Sequence, residues 1–292
     1  MTKAVNKKHR AFLKWAGGKY SLVDSLRQHL VATDTLVEPF VGAGSVFLNT
    51  DYSQYQLYDI NADLIHLYQI LQQQSEHFIA DARTFFVESS NQRDSYLRLR
   101  DEFNQCTDQY QRALLFLYLN RHGYNGLCRY NLSGKFNVPF GRYKKPYFPE
   151  AELHFFAEKA QRAVFRCVSY QQAFAAAEAG STVYCDPPYV PLSKTASFTG
   201  YAKQGFSLDD QAQLAILAEQ AQQRGINVLI SNHDTTWTRQ IYHQAKLTSM
   251  QVGRSISQQG ATRAKVAELF ASYPAKPVPA ARLTTATVQK TG

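Results

Sequence analysis

Cysteine, methionine and tryptophan are scarce in this 292-residue chain: four Cys, two Met and two Trp, against 18 Tyr and 18 Phe. Cys106, Cys128, Cys167 and Cys185 form no C-x-x-C pair and no regular spacing. That pattern excludes a disulfide framework and a cysteine zinc site, and reads as reduced thiols of a cytosolic protein. No apolar run reaches the length of a membrane span, and residues 1–10 are polar and basic with no apolar signal-peptide stretch. A soluble, cytoplasmic protein that needs no membrane and no metal is expected. Acidic residues are outnumbered too: 23 Asp and Glu face 32 Lys and Arg, a formal charge of +9. Such a balance suits an anionic partner, whether nucleic acid, membrane surface or acidic metabolite. Rings in basic surroundings suit base stacking, although most of them belong to a core.

Short apolar runs at residues 36–41, 56–60, 164–168, 183–186, 227–231, 247–252 and 266–270 read as strands. A helical segment is expected at 45–50, and another at 209–224 with Ser207 or Asp209 as its cap and Gly225 as its stop. Strands alternating with helices predict an α/β sheet. Residues 61 to about 113 break that alternation with a polar helical pattern, followed by a helix at 114–119 and a basic Gly/Asn/Pro-rich stretch to 148. The block 61–149 is therefore read as an inserted domain, and 1–60 with 150–273 as one discontinuous domain. Residues 274–292, rich in Ala, Pro and Thr, are expected to be a disordered tail.

Glu38-Pro39-Phe40-Val41-Gly42-Ala43-Gly44 reads as a strand leading into a tight glycine turn. Glycine lets backbone approach a ligand with no Cβ in the way, and ligands of open α/β sheets lie at the carboxyl ends of the strands. Asp59 closes the next strand, where a carboxylate accepts hydrogen bonds from a ribose diol. The third glycine of a dinucleotide fingerprint is missing and no Gly-Lys-Ser/Thr follows, which disfavours NAD and ATP. Pro39, Phe40, Gly42, Gly44 and Asp59 become candidate residues for a nucleoside-type cofactor. Upstream, Lys14-Trp15-Ala16-Gly17-Gly18-Lys19 is a second small-residue turn, or else an arm that packs Trp15 and caps a helix near Ser21.

Cys185-Asp186-Pro187-Pro188-Tyr189 closes the 183–186 strand. Proline has no N–H and restricts the residue before it, so the local carbonyls stay open as acceptors. An acceptor carboxylate, a proline carbonyl and a ring make a pocket for a flat amine; a Pro-Pro break with an incidental tyrosine is the blander alternative. Asp186, Pro187 and Tyr189 are the candidate catalytic residues.

Taken in order, these segments resemble the adenine-specific DNA methyltransferases of the Dam type. Arg121-His122-Gly123-Tyr124-Asn125-Gly126-Leu127-Cys128-Arg129-Tyr130-Asn131 and residues 136–148 resemble that family's recognition loops, and Ser231-Asn232-His233-Asp234 matches its later strand segment. The likeness covers about residues 10–273. It implies a Rossmann-like S-adenosylmethionine-dependent methyltransferase sheet, with an inserted and mainly helical target-recognition domain. It also implies S-adenosyl-L-methionine as cofactor, adenine within GATC of double-stranded DNA as target and association with the prokaryotic nucleoid; roles in DNA mismatch repair, in DNA replication, in a phage or as the modification half of a restriction system would look alike in the sequence. Trp15, Lys19, Asp59 and Asp186 would line the cofactor site, and Lys14, Tyr124, Asn125, Leu127, Arg129 and Arg142 would face DNA. His122 stands where an aromatic residue is expected beside the recognition loop.

Under that resemblance Asp186 and the Pro187 carbonyl accept from the adenine amino group, and the base leaves the duplex to stack on Tyr189. Tyr124 and Asn125 are candidates to fill the gap, Arg129 to read a guanine or clamp a phosphate, and Arg142, Lys144 and Lys145 to contact phosphates or form a solvated turn. Tyr124 has a core-ring alternative, and His233 reads as a structural histidine. An insertion of this size beside one catalytic core suits a monomer. The competing readings are a catalytically silent sequence-specific DNA-binding protein and a methyltransferase acting on cytosine, RNA or a protein amide. Ser or Asn in place of Asp186 would favour a cytosine or glutamine acceptor, and neither is present.

Overall fold

Pro39 stops the first strand at Glu38, because a residue without an N–H cannot continue a ladder between two neighbours. The computed structural model describes residues 7–189, 206–253 and 265–277. Seven strands form one sheet: β1 Thr35–Glu38, β2 Gln54–Asp59, β3 Ala163–Cys167, β4 Thr182–Cys185, β5 Asn227–His233, β6 Lys246–Gly253 and β7 Lys265–Tyr273. Their spatial order is β3-β2-β1-β4-β5-β7-β6, parallel except for β7, which is antiparallel to both β5 and β6. The chain leaves β1 toward β2 on one side and returns to β4 on the other, so the crevice at the carboxyl ends of β1 and β4 is the switch point of this α/β fold.

Adjacent strand residues point to opposite faces, and β1 shows the consequence: Leu36 joins one apolar core and Val37 the other. The first core takes α1 (Val23–His29), α2 (Ala62–Gln73), α3 (Ser75–Arg83), α4 (Arg93–Gln105), α5 (Gln109–His122) and α6 (Glu150–Ala160). The second is closed by α7 (Tyr170–Ala176), α8 (Leu208–Gln223) and α9 (Thr236–Ile241). One continuous core therefore runs from β1 and β2 through α2 into the helical segment.

Ser207 caps α8 in a box with Asp210, and Gly225 lies just beyond its end at φ +79°, as the sequence predicts. The segment 45–50 differs: only a 3-10 turn forms at Phe47–Asn49, where a full helix was expected. Helix α5 extends past both ends of the expected 114–119 because the Asp108 carboxylate caps it, and every residue from Ala113 to His122 is buried. A helix apolar all round belongs inside, which is where α5 sits. From Gly123 to Pro149 the chain is irregular, tied by the bridges Gly123↔Phe140 and Tyr130↔Phe136. Of the tail expected after Pro274, Ala275 N–H donates to Asn227 Oδ1 and Lys276 N–H to the Gln222 carbonyl, so the chain is still held at those two residues. Residues 278–292 lie outside the described residues.

Candidate active site

The two turns flagged in the sequence meet at the switch point. Gly17 (φ +79°) lets the 15–18 turn double back, and the Gly18 N–H donates to the Trp15 carbonyl. The turn delivers Lys19 inward: its Nζ is 2.8 Å from Asp186 Oδ1, 2.8 Å from the Gly17 carbonyl and 4.5 Å from the centroid of the Tyr189 ring. Lys19 is 6% exposed, while the Asp186 side chain keeps 21% of its surface open, so the lysine end of the pair is dry and the carboxylate stays accessible. Ser231, in the carboxyl-terminal half of β5, donates from Oγ to the same Asp186 Oδ1 at 3.1 Å, and Tyr184 OH lies 2.9 Å from that Oγ. Both contacts fall on one carboxylate oxygen.

Tyr189 is fixed from the opposite side. Its hydroxyl donates to Glu268 Oε2 at 3.3 Å, and its ring meets that of His233 at 4.8 Å and 76°. Glu268 reaches this edge because the antiparallel register pairs it with His233. Burial pushes the Glu268 carboxyl up, while the Lys19 ammonium opposes that shift. The Pro188 carbonyl accepts from Gln211 Nε2 at 2.6 Å, and Gln211 Oε1 in turn accepts from Asn232 Nδ2 and Tyr242 OH. The Pro-Pro segment is thus locked to α8 and β5 through side chains inside the protein.

Glu38 lies beneath this cluster, 2% exposed, and its Oε1 has no hydrogen-bond partner among the described residues. Burial pushes its carboxyl up to about 8, and the nearby Asp186 charge adds to that; a backbone N–H from Phe47 opposes it. At neutral pH Glu38 is mostly protonated, which avoids two carboxylate charges side by side.

In the glycine turn, Gly42 has φ +47°, and a Cβ placed there would come within 2.9 Å of Trp15 Nε1. Trp15 therefore packs flush on the turn because the side chain is absent. Gly42 N–H donates to Asp59 Oδ2 at 3.1 Å and Asn61 N–H to Asp59 Oδ1 at 3.0 Å, while Tyr68 OH donates to the Gly42 carbonyl. Burial raises the Asp59 carboxyl, and the N–H groups of Asn61, Gly42 and Ile60 hold it down. Phe40 stacks on Tyr170 at 5.6 Å and meets Phe206 edge-on at 5.4 Å, forming an aromatic wall beyond Pro39. Gly44 (φ +71°) closes the turn by donating to the Val41 carbonyl.

A second cluster gathers round Lys14. Asn120 of α5 accepts from the Lys14 N–H at 2.9 Å and donates to the Lys14 carbonyl at 2.7 Å. Lys14 Nζ sits 3.7 Å above the Tyr143 ring, and burial, with Arg121 second, lowers it to about 8. Tyr143 OH accepts from the Asn125 N–H at 3.0 Å, and Asn125 adopts φ 53°. Gly126 packs so tightly on Lys14 that a Cβ would lie 2.1 Å from the lysine Cβ. Tyr124 is 49% exposed and held by its N–H to the Pro139 carbonyl, so it is no core ring. Leu127 is half-buried against the main core.

Two expected neighbours go elsewhere. Arg129 spends its guanidinium within the 123–149 segment, Nε on Asn137 Oδ1 at 2.7 Å and Nη2 on the Asn137 carbonyl at 3.1 Å. His122 is buried between Tyr118 and Phe86 with Nδ1 3.0 Å from the Tyr118 carbonyl, so it fills the aromatic position as a core ring; burial lowers it to about 4. Arg142 (φ 55°) and Lys144 are exposed on the stretch that Asn91 Nδ2 ties down through the Tyr143 and Lys144 carbonyls. Sequence reasoning missed Glu38 as a site residue, and also Ser231, Glu268, Gln211, Tyr143 and the Tyr170–Phe206 pair. Glu38, Ser231 and Tyr143 stand inside segments already singled out, whereas Glu268, Gln211 and the Tyr170–Phe206 pair carried no signal.

Residues 15–256 match the family described as D12 class N6 adenine-specific DNA methyltransferase. The chain is 60% identical over 267 residues to the DNA adenine methylases of Salmonella typhi and Escherichia coli strain K12, covering 91% of this chain and 96% of each relative. It is equally similar, over 268 residues, to the DNA adenine methylase of Vibrio cholerae (91% and 97% covered).

Proposed function

Because the chain belongs to the D12 class N6 adenine-specific DNA methyltransferases, we propose that it methylates the 6-amino group of adenine within GATC of duplex DNA, using S-adenosyl-L-methionine and extruding the target base. That it is an adenine-specific DNA methyltransferase is the shared property of this family; cofactor, sequence and extrusion are our reading. The observation that carries it is the Asp186 carboxylate, anchored through Oδ1 by Lys19 and Ser231 beside the Tyr189 ring.

The residues present fit S-adenosyl-L-methionine. A carboxylate has about four acceptor sites, and backbone donors take only part of those on Asp59, so a ribose diol can be accepted there. The missing Cβ of Gly42 leaves a smooth floor under Trp15, and the Phe40–Tyr170–Phe206 wall suits a purine ring. When bound, the cofactor supplies a methyl group activated by a positive sulfur.

Adenine's amino lone pair is delocalised into its ring and is a poor nucleophile. Among the described residues, Asp186 Oδ2 and the Pro187 carbonyl keep acceptor capacity for the amino protons, while Oδ1 and the Pro188 carbonyl are already committed. Accepting both protons pulls the nitrogen toward tetrahedral geometry and localises its lone pair for in-line attack. Lys19 keeps the Asp186 charge compensated, and protonated Glu38 keeps a second negative charge out of the floor. After transfer, Asp186 takes the surplus proton from nitrogen. The base must leave the helix to reach these groups, and Tyr189 is the ring on which it would stack.

Residues 61–149 are proposed as the target-recognition unit, with Lys14, Tyr124, Asn125 and Leu127 facing bases and Arg142 and Lys144 facing phosphates. Arg129 would have to release Asn137 to read a guanine. Among the described residues no helix is long and apolar enough to cross a membrane, and a nucleoid-bound bacterial cytoplasmic enzyme is the proposed setting. Substituting Asp186→Ala is expected to abolish methyl transfer while duplex binding in a gel-shift assay persists. Substantial residual turnover would refute the role given to this carboxylate.

A further inference from the structure

Asn61 stands between the cofactor turn and the recognition loop, and all four of its hydrogen-bonding groups are committed. Its N–H donates to Asp59 Oδ1 at 3.0 Å, and its carbonyl accepts from Ile65 N–H at 3.1 Å in the first turn of α2. Its Oδ1 caps that helix by accepting from Leu64 N–H at 3.1 Å. The remaining group, Nδ2, crosses to the recognition loop and donates to Cys128 Sγ at 3.4 Å. Cys128 lies between Leu127 and Arg129. Burial pushes its thiol up to about 12, so it remains a neutral acceptor rather than a reactive thiolate.

The same loop is tied a second time to the first turn of α2. Tyr130 OH donates to Asp63 Oδ2 at 2.6 Å, and Arg112 of α5 holds Asp63 Oδ1 at 2.8 Å. The thiol and phenol thus clamp the loop onto the two residues that follow Asp59 most closely with a polar side chain. Because the Asn61 amide cannot rotate without losing its cap on α2, a shift of the Asp59 turn must be passed to Cys128 or break this contact.

Resting on the reading that Asp59 holds the cofactor and that Tyr124, Asn125, Leu127 and Arg129 face DNA, we propose that Asn61 and Cys128 are positioning residues that couple cofactor binding to recognition of the target sequence. The coupling is reciprocal: a cofactor that fixes Asp59 also fixes the loop, and a cognate duplex that fixes the loop also fixes Asp59. No residue of the link touches the reacting atoms.

Titration calorimetry of the full-length protein with S-adenosylhomocysteine tests this, run alone, with a GATC duplex and with a GTTC duplex. Wild type is expected to bind the nucleoside more tightly when the GATC duplex is present. Cys128→Ala should cut that enhancement about fivefold, the equivalent of one modest hydrogen bond. Affinity for the nucleoside alone should change by less than about twofold, on the same scale. Cys128→Ser, which keeps an acceptor, should restore most of the enhancement. Asn61→Ser, which keeps the helix cap, should reproduce the Cys128→Ala loss even if the alanine variant folds poorly. Full enhancement in both Cys128→Ala and Asn61→Ser would overturn the proposal, as would a wild type whose nucleoside affinity ignores the GATC duplex. Failure of wild type to bind the nucleoside at all would instead refute the cofactor reading on which the proposal stands.

Discussion

Replacing Glu38 with glutamine should change how stability responds to pH. Glu38 is 2% exposed, and burial pushes its carboxyl from 4.5 to about 8. Below pH 4.5 the group is protonated whether the chain is folded or not, so it contributes nothing to the pH response. Between 4.5 and about 8 the unfolded chain ionises while the folded chain keeps its proton. The folded state then binds more protons, and stability falls as pH rises. Above about 8 both states are ionised and the loss is constant. At about 1.4 kcal/mol for each pH unit, the interval amounts to ~5 kcal/mol, a ceiling because local opening relieves part of it. Glutamine has similar shape, retains an acceptor for the Phe47 N–H and does not titrate. Urea unfolding at pH 5, 6, 7 and 8 should therefore show Glu38→Gln gaining on wild type by several kcal/mol, with most of the gain between pH 5 and 8. Taking the difference between the two proteins cancels the groups they share. Two stability curves that stay parallel from pH 5 to 8 would refute the account of Glu38 as a buried, neutral carboxyl.

Gly42→Ala should cost about 1–2 kcal/mol from its left-handed backbone alone. Displacement of Trp15, whose Nε1 would lie 2.9 Å from the new Cβ, should appear as altered tryptophan emission and weaker nucleoside binding. An unchanged emission spectrum would contradict the close packing of that ring on the turn. Lys19→Met removes the ammonium from the Asp186 pair, whose side chains are 7% and 21% exposed. The loss should be about 2–4 kcal/mol in denaturant unfolding, somewhat under the ~3–5 kcal/mol for a fully buried pair because the Asp186 side chain stays partly hydrated. Methyl transfer should fall much further than duplex binding. Wild-type stability and turnover in Lys19→Met would show that the pair does nothing for either.

Much of the sheet was legible because parallel strands buried on both faces appear as short apolar runs: β4, Thr182–Cys185, is buried at every position. Helix α8 was legible from both ends through Ser207 and Gly225. Residues 45–50 misled because their apolar content is that of a helix, whereas the turn set by Gly42 and Gly44 leaves room only for a 3-10 turn. In the site, Asp186 and Asp59 announce themselves by ending strands beside turn residues. Their contacts do not, because each partner arrives by topology; even for Lys19, the family resemblance implied a place in the site but not the pairing with Asp186. Lys19 comes from a turn far earlier in the sequence, and Glu268 from an antiparallel strand whose register sets it opposite His233. Tyr143 was hidden for a similar reason: nothing in residues 142–145 reveals that its ring lies under Lys14 and its hydroxyl receives the Asn125 N–H. Arg129 carried a plausible sequence signal, yet here its guanidinium braces Asn137.

Both the methylated base and its flanking sequence can be read in a single labelling experiment. Purified protein, S-adenosylmethionine labelled in its methyl group and a duplex containing one GATC site are incubated beside a GTTC control, and the labelled nucleosides are identified by chromatography. The account predicts label in N6-methyladenine from the GATC duplex and none from the control. Equal labelling of the two duplexes, or label recovered on cytosine, would contradict it.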